Sequence, residues 1–379
     1  MTYEDFSNRF LNVRDQHNIM ALVGNGFDIQ ALSGLDAATD TRYESFYHYL
    51  KYRKFDPENR ILEHMGRLRE ERAENWSDVE NAIDELRTDG RVTPQVIAAD
   101  MKGIQREFAR FLDQVVTPDV LSRLGERAVA DRLTMTSFMK FLGDIDDAAE
   151  YKKMSLPKRV NIGDVFNFKF INFNYTTLLD DFVYLDQSQF DPHPYKSSDR
   201  SSSFHPNPRG HQDAPERQDF TMVSYLVSDV VHPHGVQHTP RSLPFGVDDV
   251  DDAGAKRLSK PYWAQNKVKY GDLFQKTDMF IIFGCSLGET DRWWWRSILD
   301  GLLSNKDADM VLYWRRGTSE SDMAVSDLRS KFAAAAGYAE KVGVSEALEE
   351  RARVVLYDDF TERAWLDTNP GTVPSWARI

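Results

Sequence analysis

Short apolar runs alternate along this chain with longer amphipathic stretches. The first run, Ile19-Met20-Ala21-Leu22-Val23, stops on Gly24-Asn25-Gly26 and resumes with Phe27-Asp28-Ile29. From Tyr43 to about Leu156 the spacing is helical. Trp76, Val79, Ile83 and Leu86 follow it, and Ile104, Phe108, Phe111, Leu112 and Val115 share one face. Ser77 and Glu80 fit a capping box before that first helix, which makes Glu80 a cap rather than a catalytic acid. From residue 165 the pattern changes: 165–173, 221–227, 279–283, 310–314 and 354–357 read as strands with helices between them. One of those helices carries Trp293-Trp294-Trp295 and another is rich in alanine. Strands alternating with helices predict an α/β fold with a mainly parallel, Rossmann-like sheet. The expected organisation is a single domain over 1–379, with a helical insertion at 41–160 after the first strand. Residues 191–218, rich in Ser, Pro, His and Arg, are expected to bury little and to form a mobile loop.

Composition narrows the function classes. The net charge of −13 gives no general attraction to nucleic acid or to an anionic membrane. No apolar run approaches the ~20 residues of a membrane helix. The polar start MTYEDFSNRF does not read as a signal peptide, so a cytoplasmic protein is expected. Cys285 is the only cysteine, which excludes intramolecular disulfides and a multi-cysteine zinc ribbon. Six of the nine histidines lie between His193 and His238, but His232, His234 and His238 match no firm ligand spacing, and no metal is expected.

In an open parallel sheet, ligands bind beyond the carboxyl ends of the strands. Four polar clusters fall there: Gly24-Asn25-Gly26-Phe27-Asp28, Asn172-Phe173-Asn174-Tyr175-Thr176, His232-Pro233-His234-Gly235 and Gly284-Cys285-Ser286-Leu287-Gly288, with Asp291 soon after. Gly24 permits a turn and Gly26 leaves room for a phosphate to approach the backbone. Asp28 either caps the following helix or faces a ligand. Asn172 and Asn174 point the same way if the strand is still extended. Gly284–Gly288 matches the G-x-S-x-G nucleophile elbow, but no histidine follows His238 to complete a hydrolase triad. Ser286 is therefore expected to contact a phosphate at a helix N-terminus.

Together, GNGFDI at 24–29, Tyr43–Phe46, NWSDVE at 75–80, NFNYT at 172–176, HPHG at 232–235, LPFGVDD at 243–249 and GCSLGETD at 284–291 resemble the bacterial abortive-infection family AbiH. That resemblance implies defence against phage by shutting down the infected cell. The same clusters are similar, more distantly, to a sirtuin-like NAD-binding domain. Gly24–Gly26 corresponds to its first loop, Asn174 to its asparagine motif, His234-Gly235 to its histidine–glycine pair, and Gly284 with Ser286 to its phosphate loop. Three features depart from that pattern. Thr176 stands where an aspartate is usual, Asn25 where an alanine is usual, and the zinc-binding cysteines of protein deacylases are missing, which argues against a deacylase.

The second resemblance implies NAD as substrate, cleaved to nicotinamide and ADP-ribose. Asn174 and His234 would be catalytic, with His234 accepting a proton and Asn174 holding water or a ribose hydroxyl. Gly24, Asn25, Gly26, Asp28, Asn172, Gly284, Ser286 and Asp291 would bind the nucleotide, Asp291 at the adenosine ribose. A non-enzymatic nucleotide or ADP-ribose sensor on the same fold is the alternative, followed by an effector acting on nucleic acid. The expected partners are a phage-derived activator or partner protein and further copies of the chain.

Overall fold

The computed structural model describes residues 1–8, 13–73, 75–157, 159–161, 163–185, 203–211, 224–243, 245–247, 256–260, 265–317 and 323–378. Among them, β1 (Gln16–Val23), β2 (Val165–Asn172), β3 (Tyr225–Val231), β4 (Met279–Phe283), β5 (Asp309–Arg315) and β6 (Ala352–Tyr357) form one sheet. Its order is β3-β2-β1-β4-β5-β6 and every pairing is parallel. This order, which reverses between β1 and β4, is the Rossmann arrangement. The register sets Val23 level with Asn172 on one side and Phe283 on the other, so the turns after β1, β2 and β4 leave the sheet side by side.

Period-two alternation on the strands builds two cores. Ile19, Ala21 and Val23, Phe166, Phe168 and Phe170, and Ile281 and Phe283 point to one face. That face is covered by α1 (Gly26–Gly34) and by the helices between β1 and β2: α2 (Tyr43–Tyr52), α3 (Arg60–Glu70), α4 (Val79–Asp89), α5 (Pro94–Val115), α6 (Pro118–Ala130), α7 (Leu133–Lys140) and α8 (Ala148–Lys152). The short α9 (Leu178–Phe182) joins them after β2. Met20, Leu22, Phe280, Ile282, Met310 and Leu312 point to the other face. After α10 (Asn266–Tyr270) the chain enters β4, then covers this face with α11 (Arg292–Ser304), α12 (Val325–Ala335) and α13 (Val344–Arg351). Trp294 and Trp295 are buried there; they are core residues of α11.

Two expectations change. The strand expected at 221–227 runs instead over Tyr225–Val231, with 221–223 outside the described residues. Ser228 and Asp229 break the apolar run, but on an edge strand polar positions are tolerated, and Asp229 is paired with Lys169 of β2. Within 191–218, residues 203–211 are anchored. Phe204 is buried and stacks on Phe166 with ring centroids 3.9 Å apart, and the His211 ring hydrogen-bonds the Ile145 carbonyl at 3.1 Å. The expectation of little burial fails there because one aromatic side chain suffices to pin the segment. Residues 191–202 and 212–218 lie outside the described residues. No described helix is long and apolar enough to cross a membrane.

Candidate functional site

A cavity of about 590 Å³ opens at the carboxyl ends of the strands, over the point where the strand order reverses. Nine of the ten residues singled out from the sequence line it: Gly24, Asn25, Gly26, Asp28, Asn174, His234, Gly284, Ser286 and Asp291. Asn172, the tenth, is fully buried behind them. Its Oδ1 accepts the backbone N–H of Asn174 at 3.0 Å, so it supports the turn rather than facing the cavity.

The glycines also serve the packing of two loops. Gly24 N–H donates to Phe283 O and Gly26 N–H to Gly284 O, each at 2.9 Å. A Cβ on Gly24 would sit 2.6 Å from Gly284 O, and one on Gly26 2.6 Å from Gly284 Cα. The glycines therefore let the loops after β1 and β4 lie directly against each other, and the Gly26 N–H is already used. Ser286 is exposed at the cavity wall, but the next helix of any length, α11, begins only at Arg292, so Ser286 is not at a helix N-terminus. Its loop is held by Leu287, buried at φ +57°, and by Trp295 Nε1, which donates to Gly288 O at 3.0 Å.

Asp28 is not a helix cap. Its Oδ1 accepts from Asn174 Nδ2 at 2.9 Å and its Oδ2 from Thr176 Oγ1 at 2.6 Å. The loop after β2 is thus tied through Thr176 and Asn174 to a carboxylate in the first turn of α1. Burial pushes the Asp28 pKa up to about 7, against the Thr176 hydrogen bond and His232. His232 lies behind: Nε2 is 3.0 Å from Asp180 and Nδ1 3.3 Å from the Asn174 carbonyl.

A second cluster faces the same cavity. Lys260 Nζ is 2.6 Å from Glu80 Oε2 and 3.7 Å from Asp291 Oδ1, and Asp291 Oδ1 is 3.2 Å from His234 Nε2. Tyr175 donates to Glu80 Oε1 at 3.4 Å. Glu80 is therefore a site residue and not a cap; the cap of α4 is Asp78, whose Oδ1 accepts from the N–H groups of Glu80 and Asn81. One cation here meets two carboxylates. Asp291, with His234 beside it as well, is held below the usual carboxylate range by Lys260 and His234 despite its burial. Glu80 is left with the burial penalty, which Lys260 offsets only in part, and rises to about 7. Lys260 is raised because Asp291 and Glu80 outweigh its burial.

His234 sits within this cluster. Its ring stacks flat on Phe173, centroids 4.9 Å apart, and its Nε2 lies 3.2 Å from Asp291 Oδ1. Burial and then Lys260 hold its pKa below the ordinary histidine value. Asp291 lines the cavity with His234 beside it. Among the described residues no group of three His, Cys, Asp or Glu side chains is arranged to hold a metal ion.

Sequence reasoning missed Lys260, Tyr43 and Tyr175 as cavity residues and misassigned Glu80. Glu80 carried a signal: W-S-D-V-E offers a second acid where Asp78 already caps. Lys260 carried none, since it lies in an irregular stretch with no periodicity.

Residues 20–314 match a family described as bacteriophage abortive infection AbiH. The chain belongs to the AbiH family. The match runs from β1 to β5 and so includes almost every residue of the cavity, Arg315, Lys331 and Tyr357 excepted. Membership in AbiH assigns the chain a role in phage abortive infection. Neither the curated proteins nor the solved structures yield a match.

Proposed function

We propose that this AbiH chain is an abortive-infection effector that hydrolyses NAD to nicotinamide and ADP-ribose. The observation that carries the reading is the convergence of the four polar strand-end clusters on one cavity at the β1/β4 reversal, where sheets of this order take dinucleotides. Its volume lies in the range of small-ligand sites. Hydrolysis of the ribose–nicotinamide bond passes through an oxocarbenium-like state, and the leaving ring departs neutral from a cation, so no strong general acid is required. What the site supplies is position, water and a proton acceptor. Asn174 gives its amide N–H to Asp28, which turns its carbonyl oxygen toward a ribose hydroxyl or water. The anionic Asp291 lines the same cavity and would favour positive charge developing there.

The test is incubation of purified protein with NAD, with and without lysate from phage-infected cells, and chromatography of the products. Nicotinamide and ADP-ribose are expected, and Asn174→Ala should lower their formation by at least ~10². Binding of ADP-ribose with NAD left intact in both conditions would replace the hydrolase by a nucleotide sensor. Neither binding nor cleavage would end both readings.

A further inference from the structure

We infer that Asp28, rather than His234, takes the proton from the attacking water; this rests on the NAD-hydrolase reading. A carboxylate in the first turn of a helix ordinarily turns back to the free N–H groups. Asp28 turns instead toward the loop after β2 at the cavity wall, and both of its hydrogen-bond partners, Asn174 and Thr176, are neutral side chains. Each carboxylate oxygen has two lone pairs, so each keeps one acceptor position after its single hydrogen bond. A carboxylate only accepts, so the Asn174 NH₂ must face Asp28 and the Asn174 Oδ1 must face away from it. A water in the cavity that donates a proton to a free acceptor position of Asp28 would keep a lone pair for attack.

His234 is poorly placed for this role. Its Nε2 lies 3.2 Å from Asp291 Oδ1 and one ring face is covered by Phe173. It braces Asp291 and Lys260. The groups facing Asp28 are Asn174 and Thr176 from the loop after β2, Asp180 of α9 and His232 at the end of β3. Burial, with a smaller push from Asp180, outweighs Thr176 and His232 and brings the carboxyl near neutrality, where a general base is most effective. In the step, the water oxygen bonds to C1′ of the ribose as Asp28 takes its proton. The C1′–N bond breaks with its electron pair going to the pyridinium nitrogen, giving neutral nicotinamide and ADP-ribose. Protonated Asp28 then returns its proton to solvent.

The test compares the full chain with Asp28→Asn, Asp28→Glu and His234→Gln. NAD turnover is followed from pH 5 to 9, with activating lysate where turnover needs it, and ADP-ribose binding is measured by calorimetry. For the parent chain kcat should rise through about pH 7 to a plateau. Asp28→Asn should lose that rise and ~10² or more in kcat while binding ADP-ribose within about threefold of the parent. Asp28→Glu should keep the rise at lower kcat, and decides the matter if the asparagine variant fails to bind because it fails to fold. His234→Gln should keep the rise at a reduced rate. Turnover and a pH profile unchanged in Asp28→Asn, or a rise lost only in His234→Gln, overturns the assignment while leaving the hydrolase standing. A parent chain that neither binds nor cleaves NAD overturns both.

Discussion

The cavity holds two buried acidic groups of opposite design. Around Asp28 the carboxylate is hydrogen-bonded by an amide and a hydroxyl, with His232 and Asp180 acting on it through space. Around Lys260 two carboxylates, an ammonium and an imidazole are in contact within one network. Neutral donors leave the Asp28 carboxyl near neutrality, whereas Lys260 holds Asp291 ionised and offsets the burial of Glu80 only in part. The difference separates a carboxyl without an ionic partner in hydrogen-bond contact from a pair of carboxylates that share one ammonium unequally.

Removing the cation should have the largest effect. Lys260→Met leaves the buried Glu80 without its counter-ion and Asp291 without its ammonium neighbour, and should destabilise the chain by about 3–5 kcal/mol. Urea denaturation reads this as a lower midpoint. Adding Glu80→Gln to Lys260→Met should recover part of the loss, because one carboxylate can then no longer oppose the other. Additive losses would show that the network is not coupled.

The pH dependence of stability sharpens the other side of the comparison. The Asp28 pKa of about 7 in the folded chain lies above the ~3.9 of an unfolded aspartate. The folded state therefore binds this proton more tightly. Its contribution to stability is full below about pH 4 and is lost as pH rises to about 7. Glu80, also near 7, acts in the same direction. Urea midpoints between pH 4 and 8 should fall less steeply in Asp28→Asn than in the parent. An unchanged slope would mean that Asp28 is ionised throughout that range.

The smallest effect expected is at the start of α4. Asp78→Ala removes the cap and should cost about 1 kcal/mol. Ser77→Ala should stay within about 0.5 kcal/mol, since the cap belongs to its neighbour.

The α/β class and the strand ends were legible because period-two apolar runs and polar breaks are local signals. β4 appeared at its full length for that reason. β3 was displaced because the side-chain pairing of Asp229 with Lys169 on the neighbouring strand cannot be seen from one strand alone. Gly24, Gly26 and Gly284 were recognised as special, but their reason is mutual: each makes room for the other loop. Asp28 could be placed on a helix turn, but its contact with Thr176 spans 148 positions of chain. The same limit hid Lys260, whose role exists only through Glu80, 180 positions earlier. Single side chains can be read from composition and period, whereas charge networks need the third dimension.

The helices between β1 and β2 carry a consequence for how this architecture can change. They supply the packing partners of Phe166, Phe168 and Phe170 and also deliver Glu80 to the cavity. An insertion of this kind is not a detachable module. Trimming it would bare one face of the sheet and remove a carboxylate from the site in the same stroke. Variation in α2–α8 is thus under two constraints at once, and a substitution that repacks them for stability also re-aims a residue of the cavity.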